Sequence, residues 1–282
     1  MKCMQINFSD KYPNAYLIAW LGEDAEILKM PPRRAIIVCP GGGYRGHAAR
    51  EGEPIARKFF GEGFNVFQLH YSVGENASCF TPMIELALAI RCVRERADEF
   101  NIAPDQIFVI GFSAGGHLAA SSGILWNHPI ISDAVGVESG ECPAGINRPT
   151  GVILCYPVIM SGEYSHKGSF DRLCGSPSAS ENEREIFSLE RYVSPSTVPI
   201  FVWHTVADKT VPVQNSMGLV QAMIMQGIPV EAHIYPSGRH GLSLATKETW
   251  SQQPERLVPH VQGWFNAALR WIEDFYTVCD SN

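Results

Sequence analysis

The sequence contains no long apolar run. Nowhere do about 18 apolar residues follow one another, and the N-terminal residues lack the continuous apolar stretch of a signal peptide. We therefore expect a soluble, cytoplasmic protein without a membrane partner. An excess of positive charge is also missing, because 22 basic and 29 acidic residues give a net charge of -7. Since nucleic acid is bound by basic surfaces, we expect no nucleic-acid partner.

Paired cysteine motifs are missing as well. The eight cysteines are scattered without a Cys-x-x-Cys pair, and several lie inside apolar segments such as Ile36-Ile37-Val38-Cys39. This distribution is typical of reduced thiols in a hydrophobic core. It predicts neither a disulfide framework nor a metal site.

What the sequence does contain is an alternation of short β-branched runs and longer helical patterns. The 282 residues, 45% of them hydrophobic, can form one large core. The short runs are nearly all apolar, as in parallel strands that are covered on both faces. Strands are predicted at 35–39, 65–70, 106–111, 151–156, 199–205 and 230–235, and helices at about 53–61, 83–101, 114–127, 213–226 and 255–275. The alternation predicts an α/β protein with a doubly wound, mostly parallel sheet and helices on both faces.

One stretch, residues 161–196, interrupts this alternation. It is rich in Ser, Gly, Pro, Glu and Arg, and it is too long for an ordinary connection. Its one helical segment, near 183–192, has the apolar residues Ile186, Phe187 and Leu189 on one side. We expect a single domain over 1–282 in which this stretch is a lid-like insert above the carboxyl edge of the sheet; a surface loop without a role is the alternative. Its candidate sugar contacts are the aromatic residues Tyr164, Phe170 and Tyr192 and the polar residues His166, Arg172, Glu181, Asn182 and Glu183.

The motif Gly111-Phe112-Ser113-Ala114-Gly115 lies between a predicted strand and a predicted helix. In a nucleophile elbow the serine sits in a strained strand-to-helix turn, and small residues two positions before and after let the backbones pass. A serine there lies at a helix N-terminus, where free N–H groups favour a developing oxyanion. We predict that Ser113 is a nucleophile, with an ordinary glycine-rich turn as the alternative.

A glycine run, Gly41-Gly42-Gly43, follows the first predicted strand. Free N–H groups of such a loop, together with the N–H of the residue after the nucleophile, form an oxyanion hole in acyl transfer. We predict this role for Gly42, Gly43 and Ala114, although Pro40 stands where many lipases have histidine. A nucleotide-binding loop is the rival interpretation, but the G-x-x-x-x-G-K-[ST] pattern is absent.

A serine nucleophile requires a histidine base and an orienting carboxylate, in the chain order Ser, Asp, His for this type of site. His240 follows the last predicted strand, and Asp208 follows the strand before it, 32 residues earlier. We predict that both belong to the site; Asp133 and Asp171 are the competing acids, and both lie away from any predicted strand end. The other candidates assigned here are packing roles for His70, His117 and His204, and substrate contacts for Tyr44, His47 and Tyr164.

These segments, together with Arg50-Glu51-Gly52-Glu53 and Trp203-His204-Thr205, closely resemble the α/β-hydrolase fold. Within that fold the chain is similar to bacterial carbohydrate esterases allied to acetyl xylan esterases and hormone-sensitive-lipase-type enzymes. The resemblance implies a triad of Ser113, Asp208 and His240. It also implies a serine esterase that removes short acyl groups, in particular acetyl, from a saccharide or another small ester, without metal or organic cofactor.

Three alternatives to an esterase follow from the same residues. A serine peptidase of the prolyl-oligopeptidase type would share the triad, but no stretch is long enough for the accessory domain of such enzymes. A non-catalytic binding protein would have lost members of the triad. Members of families with this resemblance are often labelled xylanases, but glycosidic cleavage would require two opposed carboxylates instead of a serine. A homo-oligomer is compatible with the sequence, which does not specify the number of subunits.

Overall fold

The computed structural model describes residues 1–23 and 30–279, with side chains up to residue 274. Within these residues eight strands form one sheet in the order β1-β2-β4-β3-β5-β6-β7-β8. Their bounds are β1 Lys2–Ile6, β2 Tyr16–Leu21, β3 Arg33–Cys39, β4 Asn65–His70, β5 Ile102–Phe112, β6 Gly151–Cys155, β7 Ile200–Thr205 and β8 Val230–Tyr235. From β4 to β8 every neighbouring pair is parallel, whereas β1 and β2 pair antiparallel at one edge.

All six predicted strands are present, and the prediction missed β1 and β2. In β2 the buried side chains alternate with half-buried ones, and β1 is the edge strand, with most of its residues exposed. These two strands lie outside the βα alternation, so the argument from that alternation did not extend to them. Six consecutive apolar residues at 16–21 were a usable signal for β2.

The helices are α1 Glu53–Gly61, α2 Thr81–Glu95, α3 Ala97–Phe100, α4 Ala114–Ile124, α5 Pro129–Ala134, α6 Lys167–Leu173, α7 Glu181–Glu185, α8 Gln214–Met225 and α9 Trp264–Cys279. Short 3-10 helices occupy Ala49–Glu51, Gly74–Ala77, Leu189–Tyr192 and Pro254–Arg256. Three predicted helices were too long, and one of them is 114–127, since α4 ends at Ile124. The helix predicted at 83–101 breaks between α2 and α3 and ends before Asn101, which is left-handed. The last begins only at Trp264, because Pro259 and Gly263 interrupt the preceding segment.

Apolar side chains cover both faces of the sheet. On one face α1 and α9 pack over alternate strand residues such as Ile36 and Val38, and on the other α2, α4 and α8 pack over Ile37 and Cys39. The near-continuous apolar strands are thus explained by two-sided burial, as the sequence pattern indicated. Among the described helices, none is long and apolar enough to cross a bilayer.

The stretch 161–196 contains more local structure than predicted. It forms α6, α7 and the 3-10 helix Leu189–Tyr192, and the predicted helical segment at 183–192 is wrong as one piece. A capping box at Ser180 and Glu183 starts α7 earlier than the apolar pattern suggested. Phe187 and Leu189 are buried as that pattern implied, whereas Ile186 is exposed.

The seven cysteines whose side chains are described are free thiols. Three of them, Cys39, Cys142 and Cys155, are buried, whereas Cys3 and Cys79 are exposed. The expectation of core thiols therefore fails for these two. Cys3 lies on the exposed edge strand β1, and Cys79 lies in the turn before α2.

Candidate active site

Ser113 occupies a sharp turn between β5 and α4. Its backbone has φ of 55° and ψ of -119°, a conformation that residues other than glycine rarely adopt. A Cβ on Gly111 would stand 2.0 Å from the carbonyl oxygen of Gly115, and a Cβ on Gly115 would stand 2.2 Å from that of Cys39. Glycine at both positions is therefore a condition for the turn. This is the geometry of a nucleophile elbow, with the serine at a helix N-terminus.

The side chains of Ser113, His240 and Asp208 are hydrogen-bonded in series. Ser113 Oγ lies 2.8 Å from His240 Nε2, and His240 Nδ1 lies 2.6 Å from Asp208 Oδ2. The three residues follow β5, β8 and β7, so the parallel sheet brings them to one edge. With Nδ1 donating to the carboxylate, Nε2 is left as an acceptor for the serine proton. The arrangement can therefore activate the hydroxyl.

Both carboxylate oxygens of Asp208 are contacted by polar groups of the protein. Its Oδ1 accepts the N–H groups of Thr210 and Val211 at 2.9 and 3.0 Å, and its Oδ2 lies 3.3 Å from Nε2 of the fully buried His204. Burial alone would raise the pKa of the Asp208 carboxyl, but hydrogen bonds from His204 and His240 hold it well below its usual value. Asp208 is therefore ionised at neutral pH, and His204, expected to pack, also contacts this carboxylate.

The glycine loop after β3 is fixed by hydrogen bonds of the Gly41 N–H and of the carbonyl groups of Gly42 and Gly43. Glu51 Oε2 accepts the N–H of Gly41 at 3.0 Å, and the carbonyls of Gly42 and Gly43 accept the Arg45 N–H and the Arg172 guanidinium. Among the described residues, no acceptor takes the N–H groups of Gly42 and Gly43. The N–H of Ala114 begins α4 and has no intrahelical partner. These three N–H groups are thus able to donate to a bound oxyanion.

The glycine run also matches G-x-G-x-x-G at Gly41, Gly43 and Gly46, a pattern associated with dinucleotide binding. In such sites the helix begins at the loop and presents its N-terminus to the pyrophosphate. Here the run is followed by the 3-10 helix Ala49–Glu51, and α1 begins only at Glu53. The geometry does not favour the nucleotide interpretation.

A cavity of about 420 Å³ opens above Ser113 and His240. From the glycine loop and the segment after it come Gly42, Gly43, Arg45, Ala48, Arg50 and Glu51; the insert and the Asp208 loop contribute His166, Gly168, Arg172 and Thr210. The stretch 161–196 thus forms one wall of this cavity. A second cavity of about 740 Å³ adjoins it and shares Arg50, Thr210 and His240.

Several predicted substrate contacts lie elsewhere. Tyr44 is fully buried, with its hydroxyl 2.9 Å from His117 Nδ1, so the prediction that its side chain contacts substrate is wrong. His47 packs edge-on against Tyr71 at 4.6 Å between ring centres, and burial lowers its pKa to about 4. Neither His47 nor Tyr164 is among the residues that line the cavity over Ser113.

The other insert candidates divide in the same way. His166 and Arg172 line the cavity, whereas Phe170 is fully buried in the core and is not available for stacking on a sugar. Half-buried Tyr192 and the α7 residues Glu181, Asn182 and Glu183 are not among the cavity-lining residues. The local sequence offered no means of separating these residues, because the path of the insert decides which side chains reach the cavity.

Two supporting residues were not predicted. Tyr156 donates its hydroxyl to Glu51 Oε1 at 2.9 Å and accepts the N–H of Ser243 at 2.9 Å. Its ring contacts His240, with 5.1 Å between ring centres. Glu51 belongs to the Arg50-Glu51-Gly52-Glu53 segment of the family resemblance, and no other feature of the sequence distinguishes it from the charged residues around it.

Comparison with known proteins places these features in a family. The BD-FAE family model matches residues 28–223. An endo-1,4-beta-xylanase B from Butyrivibrio fibrisolvens is 35% identical over 227 residues, which are 78% of this chain and 34% of that protein. An acetylxylan esterase from Xylanibacter ruminicola is 29% identical over 282 residues, or 97% of this chain and 52% of that protein. The chain thus spans about a third to a half of the length of these curated relatives.

Solved structures resemble the chain over nearly its whole length. The acetyl ester-xyloside bifunctional hydrolase from Caldicellulosiruptor lactoaceticus is 32% identical with a TM-score of 0.76, and the match covers 92% of this chain and 88% of that one. The eight-stranded, mostly parallel sheet agrees with these matches, and the predicted fold and family resemblance are confirmed. This chain belongs to the BD-FAE family and has the α/β-hydrolase fold.

Proposed function

We propose that this chain is a serine carboxylic-ester hydrolase that removes short acyl groups, in particular acetyl, from a saccharide or another small ester. The observation that carries the proposal is the hydrogen-bonded series Ser113–His240–Asp208 at a strained elbow. The N–H groups of Gly42, Gly43 and Ala114 beside it are able to donate hydrogen bonds to an oxyanion. The names of the relatives support the same class, since they include an acetylxylan esterase and an acetyl ester-xyloside hydrolase.

The reaction proceeds through an acyl-enzyme. His240 takes the proton of Ser113 while Oγ attacks the ester carbonyl, and the N–H groups of Gly42, Gly43 and Ala114 donate to the oxyanion. Asp208 stabilises the imidazolium, which then protonates the leaving alcohol as the ester bond breaks. Water repeats the cycle on the acyl-enzyme, so that acetate leaves and Ser113 regains its proton.

The alternatives are less well supported by the geometry. A non-catalytic binding protein would not require Ser113 in a strained turn within hydrogen-bonding distance of His240. Glycosidic cleavage requires two opposed carboxyl groups, whereas Glu51 is the only acidic residue among those lining the cavity over Ser113 in the described part of the chain. Both Glu51 oxygens accept hydrogen bonds from the protein.

The remaining expectations stay predictions. They are a cytoplasmic location, the absence of a nucleic-acid partner, a reaction without metal or organic cofactor, a single domain over 1–282, and compatibility with a homo-oligomer. The acidic net charge of -7 is the observation behind the second of these.

Replacement of the nucleophile tests the proposal. Ser113→Ala removes the hydroxyl, and we expect the rate of acetate release from acetylated oligosaccharides and p-nitrophenyl acetate to fall by about 10⁴-fold or more. Ser178→Ala, at an exposed position of the insert outside the cavity, is the matched control and should retain full activity. If folded Ser113→Ala keeps more than a tenth of the activity, the assignment is refuted.

A further inference from the structure

Basic residues are concentrated around His240. The two cavities that share this residue are lined by six of the 22 basic residues but only two of the 29 acidic ones, counted over the described part of the chain. The basic ones are Arg45, Arg50, Arg172, Lys209, Arg239 and Arg256, and the acidic ones are Glu51 and Glu255. The chain as a whole carries a net charge of -7, so this local excess runs against its overall balance.

Three of these arginines, Arg45, Arg172 and Arg256, have no carboxylate partner among the described residues, and the first two line the cavity over Ser113. Arg256 donates instead to Gln253 and to the carbonyl oxygens of His240 and Gly241. The side chain of Arg45 is exposed at the cavity and makes no hydrogen bond or ion pair there. Arg172 is half-buried, and its Nη1 donates to the carbonyl oxygens of Gly43 and Gly168, which leaves Nη2 and Nε without a described partner. The guanidinium of Arg172 is thus partly shielded from water and retains N–H donors that a bound anion can accept.

The other groups of the cavity do not supply that counter-charge. Glu51 lies 3.9 Å from Arg50, and its oxygens are occupied by Gly41 and Tyr156. Asp208 lies behind His240 and is bonded by two N–H groups and two imidazoles. On its other side Arg172 lines a further cavity with Glu75 and Asp171, but Asp171 is paired with Arg184 and neither acid forms an ion pair with Arg172 among the described residues. The cavity above Ser113 therefore retains the charges of Arg45 and Arg172.

The remaining titratable group of the cavity wall is His166. Its Nδ1 lies 2.8 Å from Ser169 Oγ. Burial lowers its pKa, and the nearby charges of His240 and Arg172 act in the same direction. His166 is thus a neutral hydrogen-bonding group near pH 7 and suits a hydroxylated ligand, while the arginines provide the charge.

We propose that the substrate is an anionic ester: an acetylated saccharide that also carries a carboxylate or phosphate group, which Arg45 and Arg172 bind while Ser113 attacks the acetyl carbonyl. This inference rests on the esterase function proposed above. Guanidinium groups suit the planar, bidentate recognition of carboxylates and phosphates. A cavity of about 420 Å³ is in the size range of small-molecule sites, and an acyl chain alone would gain nothing from unpaired arginines.

A matched pair of substrates tests the proposal. Methyl glucuronoside and methyl glucoside, each acetylated at the same hydroxyl, differ only in carboxylate against hydroxymethyl; the corresponding glucoside 6-phosphate is the third arm. We expect kcat/KM at low salt to be about tenfold to a hundredfold higher for the glucuronoside or the phosphate, mainly through KM, as charge-assisted hydrogen bonds imply. The preference should shrink in 0.5 M salt, and the better of the two anionic arms identifies the anion.

Variants connect the preference to the arginines. Arg45→Gln and Arg172→Lys should each lower the ratio of kcat/KM for the anionic over the neutral substrate, the second because lysine keeps the charge but loses the planar fork. The matched control is Arg57→Gln on α1, which removes one positive charge at an exposed position outside both cavities and should keep the ratio. If Arg172→Lys reduces both substrates equally, Arg172 only positions the Gly43 loop and the proposed contact is refuted.

Failure of this inference is distinguishable from failure of the esterase function. Equal kcat/KM values for the neutral and anionic substrates, or a ratio unchanged by Arg45→Gln, overturn the anionic substrate while the esterase remains. If the folded protein hydrolyses no ester, the esterase function fails. Calorimetric binding of glucuronate, glucose 6-phosphate and glucose then decides the charge preference alone, and binding of glucose as tight as that of both anions overturns it.

Discussion

Asp208→Asn is the most informative single change in the site, because it preserves shape and removes charge. In the native arrangement Oδ1 accepts two backbone N–H groups and Oδ2 accepts the Nδ1 proton of His240. An asparagine that keeps its oxygen toward Thr210 and Val211 must turn its NH₂ group toward His240. The imidazole then has to accept at Nδ1 and carry its proton on Nε2, 2.8 Å from Ser113 Oγ, where it is no longer a base for the serine.

The magnitude follows from this tautomer. The alternative orientation of the amide, with oxygen toward His240, places NH₂ against the two backbone N–H groups, and this leaves buried donors unpaired at about 1–3 kcal/mol. The favoured orientation is therefore the inactive one. In a triad of this geometry, the aspartate-to-asparagine change lowers kcat by about 10⁴-fold, equivalent to about 5 kcal/mol of transition-state stabilisation.

The assay is the initial rate of p-nitrophenyl acetate hydrolysis, measured beside thermal unfolding of the same preparation. Asp133→Asn and Asp171→Asn are the matched controls. Both residues were alternative candidates for the orienting carboxylate, and neither lines either cavity around His240. We expect both controls to stay within a few fold of the native rate. A folded Asp208→Asn variant with more than a hundredth of native kcat would refute the role of Asp208.

Two further predictions concern the buried residues Glu85 and Tyr44. Burial raises the pKa of Glu85 to about 7, although hydrogen bonds from Ser72 oppose the shift. The folded state therefore binds this proton more tightly than the unfolded state does. The stabilisation that results below about pH 4.5 is lost as the pH rises through 7, by at most about 3 kcal/mol. Urea unfolding at pH 5 and pH 8 should show a smaller loss in Glu85→Gln than in the native chain, and equal losses would contradict the buried, protonated carboxyl. Tyr44→Phe should lower the free energy of unfolding by about 1–3 kcal/mol, because the buried His117 loses its partner at 2.9 Å. The KM for an acetylated oligosaccharide should stay within about twofold of native, and a larger rise would restore Tyr44 as a substrate contact.

The parts of the fold that sequence could predict are those governed by local pattern. The parallel strands are nearly all apolar because helices cover both faces, and this makes them recognisable one by one. Antiparallel β1 and β2 escape the same argument because they extend the sheet outside the βα units. The start of α9 at Trp264 was predictable, because Pro259 and Gly263 stand in the sequence and both disfavour a helix.

The reacting groups of the site were accessible to sequence reasoning for a related reason. Ser113, Asp208 and His240 each follow a strand of the parallel sheet, so strand order alone brings them to one edge. Contacts made by the insert were not accessible, because α6 turns Arg172 toward the cavity and buries Phe170 two positions earlier. Side chains two positions apart on a helix point in different directions, and the orientation of a short helix depends on what it packs against.

The support of the site depends on residues that no local pattern connects. The Glu51 carboxyl accepts hydrogen bonds from the Gly41 N–H of the glycine loop and from the Tyr156 hydroxyl. The same hydroxyl accepts the N–H of Ser243, which lies three residues after His240. One buried carboxyl thus ties the loop after β3 to the loop after β8. Without these hydrogen bonds a carboxyl in this position would be strongly destabilising, and without the carboxyl two buried donors would lose their acceptor. The relative position of oxyanion donors and base is therefore fixed by packing beneath the sheet edge, and not only by the strands that carry them.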